Sequence, residues 1–273
     1  MRFRPRRASP PRRRLGVGLG CVRVHAATAR PEALRSADFR DGRHVRGGRR
    51  VRDLHRLAYL GPVKTGARRS VVLCYHAVSP TWNHRLCLRP ELLLRQVRTI
   101  SRYWQVHATF DDAFRSAAGV FPALEQLGAT IQVFACTKFA RVGAPLAIPE
   151  LAGDDPAELA TMTWDDLRGH VDRGIAIGSH SVSHAHLTRL SDAELRHELE
   201  DSKHELEAEL GRACTELAYP YGEHDARVRA AARAAGYRVA YALRGRREDP
   251  YSRPRVDLYR RHTPLRTFLR VLL

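Results

Sequence analysis

The stretch Val106-His107-Ala108-Thr109-Phe110-Asp111-Asp112 gives the strongest indication of the fold of this chain. Residues 106–108 have the apolar character of a short buried strand, and the segment that follows, Phe114–Leu127, has the spacing of a helix. Adjacent carboxylates at the carboxyl end of a strand stand where α/β folds place their chemistry. Two unpaired carboxylates held close together repel, so the pKa of one should rise unless a cation lies between them. The stretch therefore predicts an α/β fold with a metal at this edge of the sheet.

Further candidate ligands lie about seventy residues later, in Gly178-Ser179-His180-Ser181-Val182-Ser183-His184. Imidazoles four residues apart share one face of a helical turn and can hold one ion. Two histidines and one carboxylate leave a coordination position open for water, which is the arrangement of catalytic rather than structural zinc. His180 is not followed by the Glu that a metalloprotease helix uses as its base. The base must therefore come from elsewhere, and Asp111 is free to supply it.

The positive charge of the chain is concentrated near its N-terminus. Of the formal net charge of +18, residues 1–70 contribute 20 Lys and Arg against 4 Asp and Glu, whereas the remaining 203 residues contribute 27 against 25. Residues 1–69 show little apolar periodicity, and such a stretch cannot bury enough surface to offset its ordering entropy. We therefore expect a disordered basic arm over 1–69 and one folded domain over 70–273. The arm is open to three interpretations: a polyanion-binding segment, a solvated tail, or translation upstream of the true start.

The cysteines and the apolar runs exclude several classes of protein. Five cysteines are scattered without a Cys-x-x-Cys pair, so neither a disulfide framework nor a zinc ribbon is predicted. No stretch approaches the ~20 apolar residues of a transmembrane helix. The apolar run Leu15–Gly20 after Arg12–Arg14 is too short for an export signal. The location is cytoplasmic by default, with action at the cell envelope left open, and the oligomeric state is not indicated.

Strand-like and helix-like segments alternate along the rest of the chain. The spacings Thr163 to Asp166 and Ser191 to Glu194 predict capped helix starts. His76 follows the first predicted strand and is a candidate site residue. The predicted strands are 70–75, 106–108, 130–136, 175–178, 217–222 with its turn, and 237–243, and the predicted helices are 92–100, 114–127, 163–174, 191–210 and 226–235. This alternation predicts a parallel α/β sheet or barrel.

Three motifs in order give the chain a family resemblance. With Thr-Phe-Asp-Asp at 109–112, His-Ser-x-x-His at 180–184 and Tyr-Pro-Tyr-Gly at 219–222, it resembles the polysaccharide deacetylases, the NodB-homology group of carbohydrate esterase family 4. The resemblance covers about Val71 to Val256 and leaves out the arm. It implies a distorted (β/α) barrel, usually of seven strands, that removes acetyl groups from N-acetylated or, in some branches, O-acetylated sugars. The expected partner is therefore an acetylated oligo- or polysaccharide, and no specific nucleic acid is expected.

The resemblance also implies the roles of single residues. Asp111 resembles the catalytic base, and the backbone N–H of Tyr221 stands where the family holds the oxyanion. The residues that resemble the metal ligands are Asp112, His180 and His184. The ion would be divalent, Zn²⁺ by preference, although Co²⁺, Ni²⁺ or Mn²⁺ also suits such ligands. In this chemistry the metal activates a water and polarises the acetyl carbonyl, while Asp111 removes the proton of the water.

The chain departs from the family pattern at two places. Ala218 stands where many members have an Arg that orients the base, and Arg255 is the candidate replacement. The Leu-x-His that carries the general acid in many members is missing, and we expect His76 to replace it in preference to His186 or His262. Without an acid, expulsion of an amine would suffer more than expulsion of an alcohol. This tilts the substrate slightly toward O-acetyl sugars, while N-acetyl sugars remain the default of the family. The alternative function is an inert carbohydrate-binding pseudoenzyme of the same fold.

Overall fold

The computed structural model describes residues 69–272. The expected arm over 1–69 therefore lies, except for Arg69, outside the described residues. The strands are β1 (Ser70–Tyr75), β2 (Ala77–Val78), β3 (Cys87–Leu88), β4 (Gln105–Phe110), β5 (Thr130–Ala135), β6 (Ala176–Ser179), β7 (Glu216–Ala218), β8 (Val239–Ala242), β9 (Arg253–Pro254) and β10 (Val256–Asp257). The helices are α1 (Pro90–Ile100), α2 (Phe121–Gln126), α3 (Thr137–Ala140), α4 (Trp164–Asp172), α5 (Asp192–Arg196), α6 (Ser202–Leu210), α7 (Ala226–Ala234) and α8 (Pro264–Leu272).

Eight of the strands form one parallel sheet in the order β10-β1-β4-β5-β6-β7-β8-β9. The sheet curls into a nearly closed barrel with helices packed around it, which confirms the predicted (β/α) barrel. The family usually has seven strands, whereas here the closing strand is divided in two. β9 pairs with β8 and β10 pairs with β1, and only Arg255 separates β9 from β10. A single residue thus carries the chain from one edge of the barrel to the other.

Side chains along the barrel strands alternate between two environments. On β4, Val106, Ala108 and Phe110 pack into the main apolar core. The intervening His107 and Thr109 point the other way, into the barrel. Their neighbours there are polar as well: the side chain of His107 lies 2.9 Å from that of Gln132 on β5. The barrel interior is therefore partly polar, and the apolar core lies between the sheet and the helices.

The helix predicted over Phe114–Leu127 is only partly correct. Arg115–Val120 forms 3₁₀ turns, and the α-helix begins at Phe121. Pro122 is the second residue of that helix, a position where its missing N–H costs nothing, whereas deeper in a helix it would break a hydrogen bond. A longer α-helix through this proline would therefore be unfavourable.

Other expectations from the sequence are confirmed. Both predicted capping boxes are present, at the starts of α4 and α5. The helix expected to run from Ser191 to Leu210 comprises α5, a π-helical turn over His197–Asp201, and α6. The four described cysteines are free and buried, and Cys21 lies outside the described residues. Between residues 69 and 272 no helix has the length and apolarity needed to cross a bilayer.

Gly178 on β6 provides a test of how tightly the barrel interior is packed. A Cβ atom at this position would lie 2.5 Å from Cε1 of Phe134 and 2.9 Å from the backbone oxygen of Glu216. We expect Gly178→Ala to lower the free energy of unfolding by about 1–3 kcal/mol, because an overpacked interior must shift. Urea denaturation measures this. The control is Gly169→Ala in α4, where the Cβ meets open space. It should be neutral or stabilising, and equal losses in both variants would contradict the packing argument.

Candidate active site

Asp111 and Asp112 lie at the carboxyl end of β4. The backbone N–H of Asp111 donates to the carbonyl of Tyr75 at 2.9 Å, so this residue continues the pairing of β4 with β1. Its side chain therefore keeps the inward direction of Thr109, two residues earlier. Asp112 has a φ of 66°, and this left-handed conformation turns the chain out of the strand. Both carboxylates are almost completely buried.

Strained backbone is concentrated in the segments that carry the motifs. Among the described residues, the non-glycine residues with positive φ are Asp112, Ala113, Ser181, His184 and Tyr221. Such conformations cost of order 1–3 kcal/mol each and persist only where the surrounding structure enforces them. Strain of this kind clusters at active sites and ligand clamps. The three motif segments therefore have the backbone geometry of a functional site.

Asp112, His180 and His184 converge on one point. Oδ1 of Asp112 lies 3.5 Å from Nε2 of His180 and 3.2 Å from Nε2 of His184. Nδ1 of His180 is 2.8 Å from the carbonyl oxygen of Ala218 and must donate to it, so the lone pair of Nε2 faces the carboxylate. Burial lowers the pKa of His180, and it lowers the pKa of His184 to about 4, so both rings are neutral near pH 7. Two neutral imidazoles with a carboxylate are the donors that a divalent ion requires.

The Asp112 carboxylate has the properties expected of an incomplete ligand set. Its Oδ1 is buried and has no hydrogen-bond donor among the described residues. Burial raises the pKa of Asp112, which forms no ion pair with an arginine or lysine among the described residues. A buried anion that faces two nitrogen lone pairs is unfavourable, and a cation between them would compensate all three groups. The three residues therefore fit a metal ion.

The segment between the two histidines is not the helical turn that the sequence suggested. His180 directly follows β6, and the residues after it are irregular. The backbone N–H groups of Val182 and Ser183 both donate to Oε2 of Glu198 at 2.9 Å, and Oγ of Ser183 donates to Oε1 at 2.6 Å. In a helical turn, these N–H groups would donate to backbone carbonyl oxygens of the same helix. Here the Glu198 carboxylate accepts them instead. The prediction of a shared helical face was wrong for this reason, although both rings reach the same carboxylate.

Glu198 is a site residue that the sequence analysis missed. It lies on the π-helical turn over His197–Asp201 and is only 7% exposed. In the sequence it is one of several glutamates in an amphipathic helix, and nothing local distinguishes it. The only signal is that π-turns occur frequently at functional sites, and a π-turn is visible only in the structure.

Asp111 has a different partner from Asp112. The guanidinium of Arg255 donates to both of its oxygens, at 2.6 Å to Oδ1 and 2.7 Å to Oδ2, and it also donates to Oγ1 of Thr109 at 3.0 Å. Burial by itself would raise the pKa of Asp111, but the charge and hydrogen bonds of Arg255, together with the nearby His180 and His76, hold this pKa well below its usual range. The thiol of Cys74 adds a weak hydrogen bond to Oδ2 at 3.4 Å, a contact that the sequence analysis did not foresee.

The three candidate acids occupy different places. A ring nitrogen of His76 lies within 4.8 Å of a carboxylate oxygen of Asp111, and Nδ1 of His76 is buried without a hydrogen-bond partner in the described part of the chain. His262 is structural, because its Nδ1 accepts the backbone N–H of Tyr259 at 3.1 Å. His186 stacks on the ring of Tyr221, with centroids 3.8 Å apart. Of the three, His76 is the one beside the carboxylate of Asp111.

Tyr221 occupies the turn Pro220–Gly222 with φ 60° and ψ 0°. Its ring meets the ring of the metal-ligand candidate His184 edge-on, with centroids 4.6 Å apart. Its hydroxyl donates to Glu150 at 3.2 Å. Contacts on several sides therefore fix this turn beside the Asp112 group.

Comparison with known families gives the affiliation of the chain. Residues 104–240, half of the chain, match the family model described as polysaccharide deacetylase. His76 and Arg255 lie outside the matched residues. No curated protein matches the chain by sequence. The residues of the candidate site that lie inside the match are Asp111, Asp112, His180, His184 and Tyr221.

Solved structures show the same fold at low sequence identity. The deacetylase PplD of Streptococcus pyogenes, in complex with acetate, is 20% identical with a TM-score of 0.60, over 74% of this chain and 97% of that one. A polysaccharide deacetylase from Bacillus cereus is 18% identical with a TM-score of 0.62, over 75% of this chain and 69% of that one. IcaB from Ammonifex degensii is 19% identical with a TM-score of 0.58, over 70% and 92%. With its family match and its barrel, the chain belongs to the polysaccharide deacetylase family, hydrolases that remove acetyl groups from carbohydrates.

Proposed function

We propose that this protein is a metal-dependent carbohydrate deacetylase in which Asp111 is the catalytic base. The observation that carries the proposal is that the two adjacent aspartates have different partners. Asp111 is neutralised by Arg255, whereas Asp112 has no arginine or lysine partner in the described part of the chain and faces His180 and His184. Two neighbouring carboxylates with such different environments are typical of sites that assign them different roles.

Asp112, His180 and His184 would hold the divalent ion. When bound, such an ion lowers the pKa of water and polarises a carbonyl oxygen. The donor set of two imidazoles and one carboxylate favours Zn²⁺, and Co²⁺, Ni²⁺ or Mn²⁺ could also occupy it. The hydrogen bond from His180 Nδ1 to the carbonyl of Ala218 would fix the tautomer and the orientation of that ligand.

Asp111 would accept a proton from the attacking water. Arg255 keeps this carboxylate ionised and fixes its orientation through two parallel hydrogen bonds. Each carboxylate oxygen has more than one acceptor position, so the bidentate pair leaves capacity for the water. Because its pKa is low, Asp111 would hold the proton only briefly before passing it on. Arg255 would thus have the orienting role that Ala218 cannot fill, which weakens the case for an inert relative.

The remaining steps would use Tyr221 and His76. The backbone N–H of Tyr221 would donate to the oxygen of the acetyl group as charge develops there, and one such donor is typically worth roughly 3 kcal/mol of barrier. His76 would protonate the leaving nitrogen or oxygen of the sugar. Burial lowers the pKa of His76, so the ring is neutral near pH 7, and the proton that it gives to the leaving group would be the one that Asp111 took from the water.

The first test is acetate release by the full chain from a panel of N- and O-acetylated oligosaccharides, after chelation and with or without added Zn²⁺ or Co²⁺. We expect metal to restore release and Asp111→Asn to reduce it by at least about 100-fold, as for loss of a general base. The control is Asp165→Asn, because that side chain is 89% exposed on α4. Metal bound at one per chain without release from any substrate would favour the pseudoenzyme, and failure to bind metal would refute the site.

The pH dependence tests the pairing of Asp111 with Arg255. In the native protein Arg255 holds the pKa of Asp111 low, so the base stays ionised in mildly acidic solution. Arg255→Gln removes the largest opposition to the effect of burial, so the pKa of Asp111 rises. We therefore expect the acidic limb of the kcat/KM profile to move to higher pH in this variant.

Arg255→Gln should also unfold more easily, by about 3–5 kcal/mol, since it leaves a buried charge unpaired. Arg255→Lys keeps the charge without the bidentate geometry, and serves as the matched variant. It should retain the low acidic limb while losing part of kcat. Superimposable profiles for all three proteins would contradict the orienting role.

The leaving group tests the role of His76. We expect His76→Gln to reduce the rate on an N-acetylated substrate by about 100-fold, within the range typical of a general acid. Loss on an O-acetylated substrate should be smaller, because an alcohol leaves more readily than an amine. Parallel assays on matched N- and O-acetyl oligosaccharides measure the difference. Equal losses on both would argue against the acid, and His186→Gln provides the comparison.

A further inference from the structure

A basic cleft lies at the same end of the barrel as the candidate active site. Its volume is about 360 Å³, and two segments of chain form it, 83–85 between β2 and β3 and 259–261 after β10. The backbone N–H of Leu258 donates to the carbonyl of Cys74 at 3.0 Å, so the second segment leaves the barrel where His76 leaves β1. The cleft is lined by Asn83, His84, Arg85, Tyr259, Arg260 and Arg261.

Three guanidinium groups share this cleft. None of Arg85, Arg260 and Arg261 forms an ion pair with any described residue. Unpaired arginines are common on this surface, but here three of them line one concavity. Residues 71–273 carry almost no net charge, so the positive field of the cleft is a local feature.

A second cleft of the same size differs in that its arginines are paired with acids. It is also about 360 Å³ and contains two arginines. There Arg115 pairs with Asp166 at 3.3 Å and Arg173 pairs with Glu125 at 3.1 Å, so both charges are compensated within the protein. In the cleft beside β10, by contrast, no described acid forms an ion pair with Arg85, Arg260 or Arg261.

The segment after β10 is rigid. Residues 259–262 form a tight turn, in which the N–H of His262 donates to the carbonyl of Tyr259 at 2.8 Å. The side chain of Gln96 on α1 donates to the carbonyl of His262 at 2.5 Å, and this hydrogen bond holds the turn against α1. The guanidinium of Arg261 lies over the ring of Tyr259, 5.5 Å from its centroid. This arginine is therefore held in place by a ring rather than by an acid.

The opposite wall is fixed as well. His84 stacks on Trp82, and the indole N–H of Trp82 donates to Asp154 at 2.9 Å. Nδ1 of His84 accepts the N–H of Leu86 at 3.3 Å, so the hydrogen of the neutral ring lies on Nε2. Arg260 donates to Oδ1 of Asn83 at 2.5 Å and thereby joins the two walls. The cleft is a preorganised arrangement of donors.

We propose that this cleft binds a negatively charged group of the glycan, a carboxylate or a phosphate, so that the substrate is an acidic polysaccharide. The inference rests on the proposed deacetylase function. Planar guanidinium groups match both kinds of anion through paired hydrogen bonds. Because the cleft lies at the end of the barrel that carries His76, a glycan bound there would be on the same side of the barrel as the active site.

The test measures binding to the full chain by calorimetry, with three probes that lack acetyl groups: tetragalacturonate, glucose 6-phosphate and the neutral cellotetraose. The cleft variant is Arg85→Gln with Arg261→Gln. The control is Arg98→Gln with Arg102→Gln, because these exposed residues lie at the end of α1 and before β4, at the amino end of the barrel. The N-terminal residues are the same in all proteins and contribute equally to each measurement.

We expect the cleft variant to lose on the order of tenfold in affinity for at least one anionic probe, as for loss of a charge-assisted contact. The control should bind both anions within twofold of the native protein, and cellotetraose should not distinguish the proteins. Loss for tetragalacturonate alone identifies a carboxylate, and loss for glucose 6-phosphate alone identifies a phosphate.

Several outcomes would overturn the proposal. These are no anion binding by the native protein, equal losses in the cleft and control variants, or a loss restricted to a single-stranded oligonucleotide used as a fourth probe. Since the probes carry no acetyl group and the assay needs no turnover, a failure of the deacetylase function would leave this result unchanged. The two proposals therefore fail separately.

Discussion

The buried ion pair between Arg255 and Asp111 joins the closing strands of the barrel to the candidate active site. Taking two charges out of water is costly, and the cost is offset only when the geometry is close and other polar groups are satisfied. Here the pair is bidentate, and Thr109 accepts a further hydrogen bond from the guanidinium. Arg255 is also the one residue between β9 and β10. Its backbone therefore joins the two strands that close the barrel, while its side chain orients the carboxylate. The stability of the fold and the geometry of the site are thus coupled.

The pair requires a barrel with a polar interior, and the strands provide it by alternation. Thr109 and Asp111 face inward, while Val106, Ala108 and Phe110 face the helices and supply the apolar burial. The aromatic rings of Phe134 and Tyr241 pack against each other edge-on, and the guanidinium lies 5.5 and 5.8 Å from their centroids. These rings exclude water from the ion pair without introducing a competing charge.

The two adjacent aspartates show how one sharp turn creates two chemical environments. Asp111 stays in register with β1 and meets a fixed cation, whereas the left-handed φ of Asp112 directs the chain toward two neutral imidazoles. The backbone strain of this turn is not isolated, since His184 and Tyr221 are strained as well. Glu198 compensates part of it by accepting the N–H groups of the loop that carries the histidines. The site is therefore maintained by contacts that lie outside the motif residues themselves.

Local sequence patterns predicted most of the barrel strands and helices and the chemistry of the motifs. Strand periodicity, capping boxes such as Ser191 with Glu194, and the order of the three motifs are local patterns, and they identified the barrel and the candidate ligands. The tertiary structure alone decided which distant groups meet. Arg255 reaches Asp111 across 144 residues, Glu198 holds a loop that the spacing of its histidines had suggested to be helical, and three arginines from two segments line one cleft. No local pattern encodes such contacts, because they depend on how the strands are ordered around the barrel and on where the chain passes from β9 to β10.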